Sequence, residues 1–474
     1  MRIAMIVSDF PALSETFILG QITGLLDRGH DVDIYAERRG NVTTVHPAVH
    51  RYRLLQRTRW EPAVPDHLGV RALRGARLFA RMLVRDPRRA LAAVNVRRNG
   101  RAARSGRLIF LGSPFTGRPA YDAVVCHFGP FGKKGVELRD AGLVRGKVVT
   151  IFHGFDVSKL LVEEGNDAYA TLFARGDLFL PVSEFWRRRL IALGCPSERT
   201  HVLRMGIDAA RFAYRARKVA PGDDTVRCVS VARLVEKKGI EYAIRAVAAV
   251  RAQGVKMEYR VIGDGPLRAE LEGLVVELGA GAYVHLLGSR TQEAVRRELM
   301  EGHIFLAPSV TAANGDMEGI PVSLMEAMAT GMPVVSTHHS GIPELVQDGV
   351  SGFLVPERDV EALADVTSYL AKNRARWREL GERARDAVLR EFDATRLAER
   401  LERLLAGEEP GRGAPAARES GIGNRESSGA GPGPREAEAE IPRAREEGSG
   451  RASGEWGALP GEGEHVEVKH TGEG

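Results

Sequence analysis

From Ile3 to Thr337 short apolar runs alternate with longer stretches of helical spacing, and that alternation leaves few architectures open. A first series contains Ile3–Val7, Val32–Tyr35, Val124–Cys126, Val148–Phe152, Leu178–Val182 and His201–Leu203. A second contains Val226–Val231, Tyr259–Ile262, Val284–Leu287, Ile304–Ala307 and Val334–Thr337. Strand–helix repetition of this kind implies parallel sheets covered on both faces, and two series imply two doubly wound halves. The pattern breaks over Phe212–Asp224, where Arg215, Arg217, Lys218, Pro221 and Gly222 interrupt it. The expected domains are therefore 1–206 and 207–385, with a final helix over 386–406 packing back. From 407 to 474 the chain is Gly, Glu, Arg, Ser and Pro with hardly any large apolar residue, which predicts a disordered tail.

No run of eighteen apolar residues is present, so no membrane-spanning helix is expected. The amino end meets Asp9 and Pro11 too soon for a secretory signal and reads as a first buried strand of a cytoplasmic protein. Cys126, Cys195 and Cys228 lie far apart without a C-x-x-C partner, which argues against zinc and against a disulfide scaffold. The formal charge is only +6, yet segment 51–107 holds sixteen arginines against Glu61, Asp66 and Asp86. Interleaved with Leu73, Leu78, Phe79, Met82, Leu83 and Val84, these arginines read either as a solvated helical face or as a basic amphipathic surface for anionic lipid. Nucleic acid is set aside because no reading module accompanies them.

The segment Glu318-Gly-Ile-Pro321-Val-Ser-Leu-Met-Glu326-Ala-Met-Ala-Thr-Gly331 puts two carboxylates around the start of a short helix. Pro321 suits its first turn, and Gly331 suits the left-handed stop before Pro333. Glu318 then lies on the approach loop and Glu326 inside the helix, with about 7.5 Å of helix axis between Pro321 and Glu326. Free amides around Gly319, Ile320, Val322 and Ser323, aided by the helix dipole, favour an anion between the two acids. A phosphate flanked by hydroxyls describes a nucleotide sugar. The competing reading is a capping box, with Ser323 as N-cap and Glu326 reaching back to it. Asp31-Val-Asp33 has the spacing of a metal-binding pair, but it reads as part of a strand with both acids at a solvent edge and no companion ligands, so no metal is assigned.

Further pieces follow strands in a fixed order: Val231-Ala-Arg233-Leu-Val-Glu-Lys237-Lys238-Gly239, Gly263-Asp-Gly-Pro266, His285-Leu-Leu287-Gly288 and Gly341-Ile-Pro-Glu-Leu-Val-Gln-Asp-Gly349. Loops at the carboxyl ends of an open α/β sheet share one crevice. With the two-glutamate segment, this order resembles the C-terminal half of the retaining GT-B glycosyltransferases of family 4, over about residues 1–406 and most strongly over 226–356. The resemblance implies two Rossmann-like doubly wound domains facing a central cleft. The amino end, Pro11-Ala-Leu-Ser14-Glu15-Thr16-Phe17-Ile18, lacks the family's usual Gly-Gly loop. Together with Cys126-His127-Phe128-Gly129 it is similar to the bacterial exopolysaccharide branch, the colanic-acid type.

By that resemblance Arg233 and Lys238 grip the donor diphosphate, with Lys237 a competitor for the second place. Glu318 meets hydroxyls of the donor sugar and Glu326 the ribose, while the backbone at Gly319, Ile320 and Pro321 meets phosphate. Gly263 and Leu287 complete the donor side, although such loop-end residues also read as core. His153, in Thr150-Ile-Phe-His153-Gly154-Phe-Asp156, stands near the reacting sugar and its 6-hydroxyl. Ser14, Glu15, Thr16 and Asp156 fall on the acceptor side; the first three read equally as an N-cap and first turn, and Asp156 as a backbone orienter or cap. Met205-Gly-Ile-Asp208 is an interdomain turn. The implied activity is hexosyl transfer, with retention, from a UDP- or GDP-linked sugar to a lipid-linked saccharide, without metal or resident cofactor. The implied location is the inner face of the cell membrane, reached through 51–107. A GT-B sugar-nucleotide epimerase and a non-catalytic scaffold of a polysaccharide assembly complex are the alternatives. No strand is followed by the G-x-G-x-x-G turn of a dinucleotide oxidoreductase.

Overall fold

The computed structural model describes residues 1–12, 16–40, 45–219 and 222–408. Its first sheet is built from β1 (Arg2–Phe10), β2 (Asp31–Arg39), β3 (Thr58–Trp60), β4 (Ala123–His127), β5 (Lys147–Phe152) and β6 (Leu178–Pro181). The second uses β7 (Val226–Val231), β8 (Met257–Ile262), β9 (Val284–Leu286), β10 (Ile304–Ala307), β11 (Val334–Thr337) and β12 (Phe353–Val355). All pairs are parallel, in the orders β3-β2-β1-β4-β5-β6 and β12-β11-β10-β7-β8-β9. Counted within each half, both orders are 3-2-1-4-5-6. Each half therefore winds outward one way and then the other, leaving a crevice at β1/β4 and at β7/β10.

The expected run His201–Leu203 forms no strand. It lies beside β6 as a single extended stretch, with His201 N–H donating to Phe179 O (3.0 Å) and Leu203 N–H to Pro181 O (2.9 Å). Two strands were not anticipated, β3 and β12, each only three residues long at the end of its sheet. The solvent edge expected for Asp31 and Asp33 is also corrected: β3 takes the edge of the sheet beside β2, and Tyr121 and Arg2 close over Asp33. Asp31 stays exposed, but Asp33 is buried, accepting from Tyr121 OH (2.7 Å) and Arg2 Nη2 (3.1 Å). A buried carboxylate needs such partners, and no metal is required to explain this one.

Arg217, read as part of a linker, is buried and acts as a clamp. Its guanidinium donates to the carbonyls of Leu299, Met300, Gly302 and Thr330, the C-terminal ends of the helices Gln292–Glu301 and Val322–Ala329. Those carbonyls have no intrahelical donors, and a planar cation is suited to collect several at once.

The stretch 386–406 is two elements rather than one. The helix Arg376–Glu391 buries Ala384 and Val388 in the second half, whereas Ala394–Ala406 buries Leu401, Leu404 and Leu405 in the first. The chain thus crosses between the halves twice, and the crossings bond to each other. Ile207 N–H donates to Phe392 O (3.0 Å) and Ala394 N–H to Ile207 O (2.9 Å). The predicted tail lies outside the described residues from 409 onward.

Segment 51–107 folds between β2 and β4 as β3 and a group of helices that includes Leu68–Arg85, Pro87–Ala93 and Val96–Arg104. Met82 is buried and Leu78 and Phe79 pack against the core. Leu68, Leu73 and Val84 are 75%, 67% and 85% exposed among the arginines. Among the described residues no helix is long and apolar enough to cross a membrane.

Candidate functional site

The loop after β10 carries Glu318 into the crevice between the halves, where only 6% of the residue is exposed. Burial alone would raise its carboxyl pKa, but Lys238 and Lys237 more than offset this and hold it below the ordinary value. Lys238 Nζ is 2.9 Å from Oε2 and Lys237 Nζ 3.7 Å from Oε1. Oε1 has no hydrogen-bond donor among the described residues. The backbone of Glu318 is fixed as firmly. Its N–H donates to His339 Nε2 (3.0 Å), and its carbonyl accepts from Ser340 Oγ (2.6 Å) and from Trp186 Nε1 (3.3 Å) of the first half. Because His339 Nε2 accepts, the ring proton is on Nδ1, where it donates to Glu357 Oε1 (2.6 Å).

The loop after β7 is stitched to this one. Val310 N–H donates to Lys237 O (2.9 Å), and Ala313 N–H to Glu236 Oε1 (2.8 Å). The two lysines separate by geometry. Lys237 Nζ is spent on Asp316 Oδ1 (2.9 Å) and Met317 O (3.3 Å), bracing the loop. Lys238 touches Glu318 alone among the described residues, leaving ammonium protons for a ligand. Arg233 is exposed, and its guanidinium has no partner among the described residues. Gly263, after β8, has φ +137 and a hypothetical Cβ there would lie 1.8 Å from Ala232 O, so only glycine lets these two loops meet. Gly263 N–H donates to Gly288 O (3.0 Å), bringing the half-buried Leu287 into the same row of loops.

The helix expected after Pro321 spans Val322–Ala329, with Pro321 as its N-cap, and Gly331 has the left-handed φ of +78. Among the described residues no side chain caps it, so the capping-box reading of Ser323 and Glu326 is not realised. Ile320 and Pro321 are buried. The amides of Gly319, Ile320, Val322 and Ser323 have no acceptor among the described residues, which leaves the positive end of the helix open to an anion. Glu326 is half-buried and has neither hydrogen bond nor ion pair among the described residues. Burial pushes its pKa up to about 7, against the opposing pull of Arg211 and Arg296.

From the first half, the loop after β5 presses directly on this segment. Gly154 and Gly319 are back to back: a Cβ on Gly319 would lie 2.3 Å from His153 O, and one on Gly154 2.9 Å from Gly319 N. Met317 N–H donates to Ser158 Oγ (3.2 Å). Beside them, the Glu344 carboxylate accepts from the amides of Glu184 and Phe185 (3.0 and 2.9 Å), at the start of the helix Glu184–Ala192. An acid there meets the positive helix end.

The main chain of His153 lies against Gly319, and its ring packs on Phe17, Phe128 and His127 with Nδ1 beside Met205 Sδ. Asp156 is fully buried, and its oxygens accept from the amides of His153, Gly154 and Gly129 at 2.9, 3.0 and 2.9 Å. Burial outweighs these bonds and raises its pKa to about 6. Asp156 thereby ties the loops after β4 and β5 together, the backbone-orienting arrangement that the sequence also allowed. Ser14 and Glu15 lie outside the described residues, and Thr16 begins the helix Thr16–Asp27. His339, Ser340, Trp186 and Ser158 were not singled out from the sequence. A histidine two residues beyond β11, two before Gly341, was the available signal for the first.

The family model described as Glycosyl transferases group 1 matches residues 213–387, and that described as Glycosyltransferase Family 4 matches residues 14–211. The putative colanic acid biosynthesis glycosyltransferase WcaL of Salmonella typhimurium is 40% identical over 411 residues, spanning 85% of this chain and 99% of the relative. The amylovoran biosynthesis glycosyltransferase AmsK of Erwinia amylovora is 40% identical over 412 residues, spanning 85% and 100%. Among solved structures, Anabaena Alr3699/HepE in complex with UDP and glucose aligns with a TM-score of 0.62 at 17% identity, over 86% of this chain and 100% of that one. WaaG, a glycosyltransferase involved in lipopolysaccharide biosynthesis, aligns at 0.56 and 16%, over 85% and 100%. These last two likenesses speak for the fold, the two-sheet GT-B architecture.

The unpaired Glu326 makes a prediction about the ligand-free protein. Its folded pKa of about 7 lies above the ordinary value of 4.5, so the folded state is penalised as pH rises through that interval and fully penalised above it. Glu326→Gln is therefore expected to raise the melting temperature at pH 8, with the gain vanishing as pH falls toward 5. A gain that is the same at both pH values would contradict the assignment.

Proposed function

The chain belongs to the group 1 glycosyltransferases, and we propose that it transfers a hexosyl unit, with retention, from a UDP- or GDP-linked sugar in exopolysaccharide assembly. The observation that carries this reading is the Glu318 carboxylate, spare at Oε1, beside an ammonium with spare protons and a row of free amides. Glu318 Oε1 accepts from sugar hydroxyls. Lys238, Arg233 and the amides of Gly319, Ile320, Val322 and Ser323 take the diphosphate, and Glu326 takes the ribose diol.

In this reading the bond between the anomeric carbon and the diphosphate oxygen breaks, and its electron pair leaves on the diphosphate. The acceptor hydroxyl oxygen forms the new bond from the same face, and its proton passes to the departing phosphate. Cations and amides that meet charge as it develops there lower the barrier, since they bind the transition state more strongly than the ground state. No protein nucleophile, metal or resident cofactor is assigned a step.

The acceptor in this proposal is a lipid-linked saccharide, met at the inner face of the cell membrane. Leu68, Leu73 and Val84, exposed among the arginines of 71–104, support it, because apolar side chains ringed by cations suit an anionic lipid surface. Binding to vesicles containing anionic lipid is expected to fall at least ~10-fold in a Leu73→Asp, Val84→Asp double variant. Equal binding by wild type and variant would remove the membrane from the account.

Turnover is tested by supplying UDP- and GDP-hexoses with lipid extract and following both nucleotide release and glycolipid product. Arg233→Ala and Glu318→Ala are each expected to lower transfer by roughly 10²- to 10³-fold. Product formed without acceptor would favour an epimerase, nucleotide binding without turnover a scaffold, and full activity in both variants would refute the site.

A further inference from the structure

His127, in Cys126-His127-Phe128-Gly129, has no task in the reading above, yet it stands against the cleft histidine. It ends β4, beside β5, whose following loop begins with His153. Its Nδ1 is 3.1 Å from His153 Nε2, and His153 Nδ1 is 3.2 Å from Met205 Sδ. The rings are nearly parallel, at 18°, and Phe17 and Phe128 pack against His153 with centroids at 4.8 and 4.5 Å. Burial lowers the pKa of His127 to about 3 and that of His153 well below its ordinary value, so both rings are neutral, with one N–H each.

Two proton placements fit a single hydrogen bond between the rings. If His153 donates from Nε2, its bare Nδ1 faces the lone pairs of the thioether. His127 then carries its proton on Nε2, which is buried without a partner among the described residues. If instead His127 donates from Nδ1, His153 carries its proton on Nδ1 and gives it to the sulfur. Both N–H groups are then paired, and only one lone pair is left unmet. An orphaned buried donor and a lone-pair clash cost more than one unused acceptor.

We propose that His127 is a positioning residue that holds His153 in the Nδ1–H tautomer, and that this N–H, resting on Met205, is offered to a hydroxyl oxygen of the donor sugar. The sugar contact rests on the donor-site reading above; the tautomer does not. A thioether is a weak acceptor on a side chain with three rotatable bonds, so an incoming hydroxyl displaces it at little cost. The main chain of His153 already lies against the segment that carries Glu318, since a Cβ on Gly319 would lie 2.3 Å from His153 O.

The test is nitrogen-15 NMR of the His153 ring in the full-length protein without donor, combined with kinetics of His127→Asn and His127→Phe. Asparagine keeps a donor near the Nδ1 position, and phenylalanine keeps only the volume. Wild type and His127→Asn are expected to carry the His153 proton on Nδ1. His127→Phe is expected to lose that preference, with kcat at least ~10-fold lower, donor KM little changed and most of the loss restored by asparagine. A wild-type His153 protonated on Nε2, or a folded His127→Phe enzyme with full kcat, would overturn the proposal. If the phenylalanine variant does not fold, the wild-type spectrum still decides the tautomer. Failure of the donor-site reading would appear separately, as a wild-type protein without nucleotide-sugar turnover.

Discussion

A carboxylate as buried as Glu318 keeps its charge only against cations, and its two lysines meet that need in different ways. Lys237 spends its protons bracing Asp316 and Met317, whereas Lys238 pairs with Glu318 alone among the described residues. Removing one partner of a buried ion pair strands the other, so the loops after β7 and β10 are locked to one another's charge state. The Glu318 backbone adds a second constraint. His339 and Ser340 hold it from β11, and Trp186 holds it from the opposite half. The site is therefore complete only when the halves meet at Gly154 and Gly319.

Satisfied and unsatisfied groups divide the crevice into structure and function. Asp156, Glu344 and Glu357 are acids whose oxygens are taken up by amides or rings, and each fixes a loop. Glu326, Oε1 of Glu318, Arg233 and the first amides of the helix Val322–Ala329 are left without such partners among the described residues. A buried oxygen left unmet, as Oε1 of Glu318 is, costs stability, and with partnerless polar groups on the neighbouring loops it marks where a polar ligand belongs.

Strand–helix alternation carried the doubly wound architecture because it depends on local apolar content, and Pro321 and Gly331 marked the short helix through backbone chemistry alone. The misreadings share another cause, partners distant in sequence. Asp33 is buried because Tyr121 and Arg2, remote in sequence, close over its carboxylate, and β3 is too short and polar to announce itself. Arg217 is a clamp only because two helix ends converge on it from 299–302 and 330. His201–Leu203 has strand-like residues but lies outside the ladder. Within the site, loops at strand ends were legible from order and spacing, and the choice between Lys237 and Lys238 was not. That choice needed the position of Asp316, which no local pattern encodes.

The central claim, that Glu318 reads the sugar while its neighbours read the phosphates, is tested most directly by calorimetry. Affinities for a nucleoside diphosphate and for the corresponding nucleotide hexose would be measured with wild type and Glu318→Gln. The account predicts that the variant keeps or tightens diphosphate binding, because Lys238 is released from its carboxylate, while preference for the hexose-bearing ligand falls at least ~10-fold relative to the diphosphate. An unchanged ratio between the two ligands would contradict it.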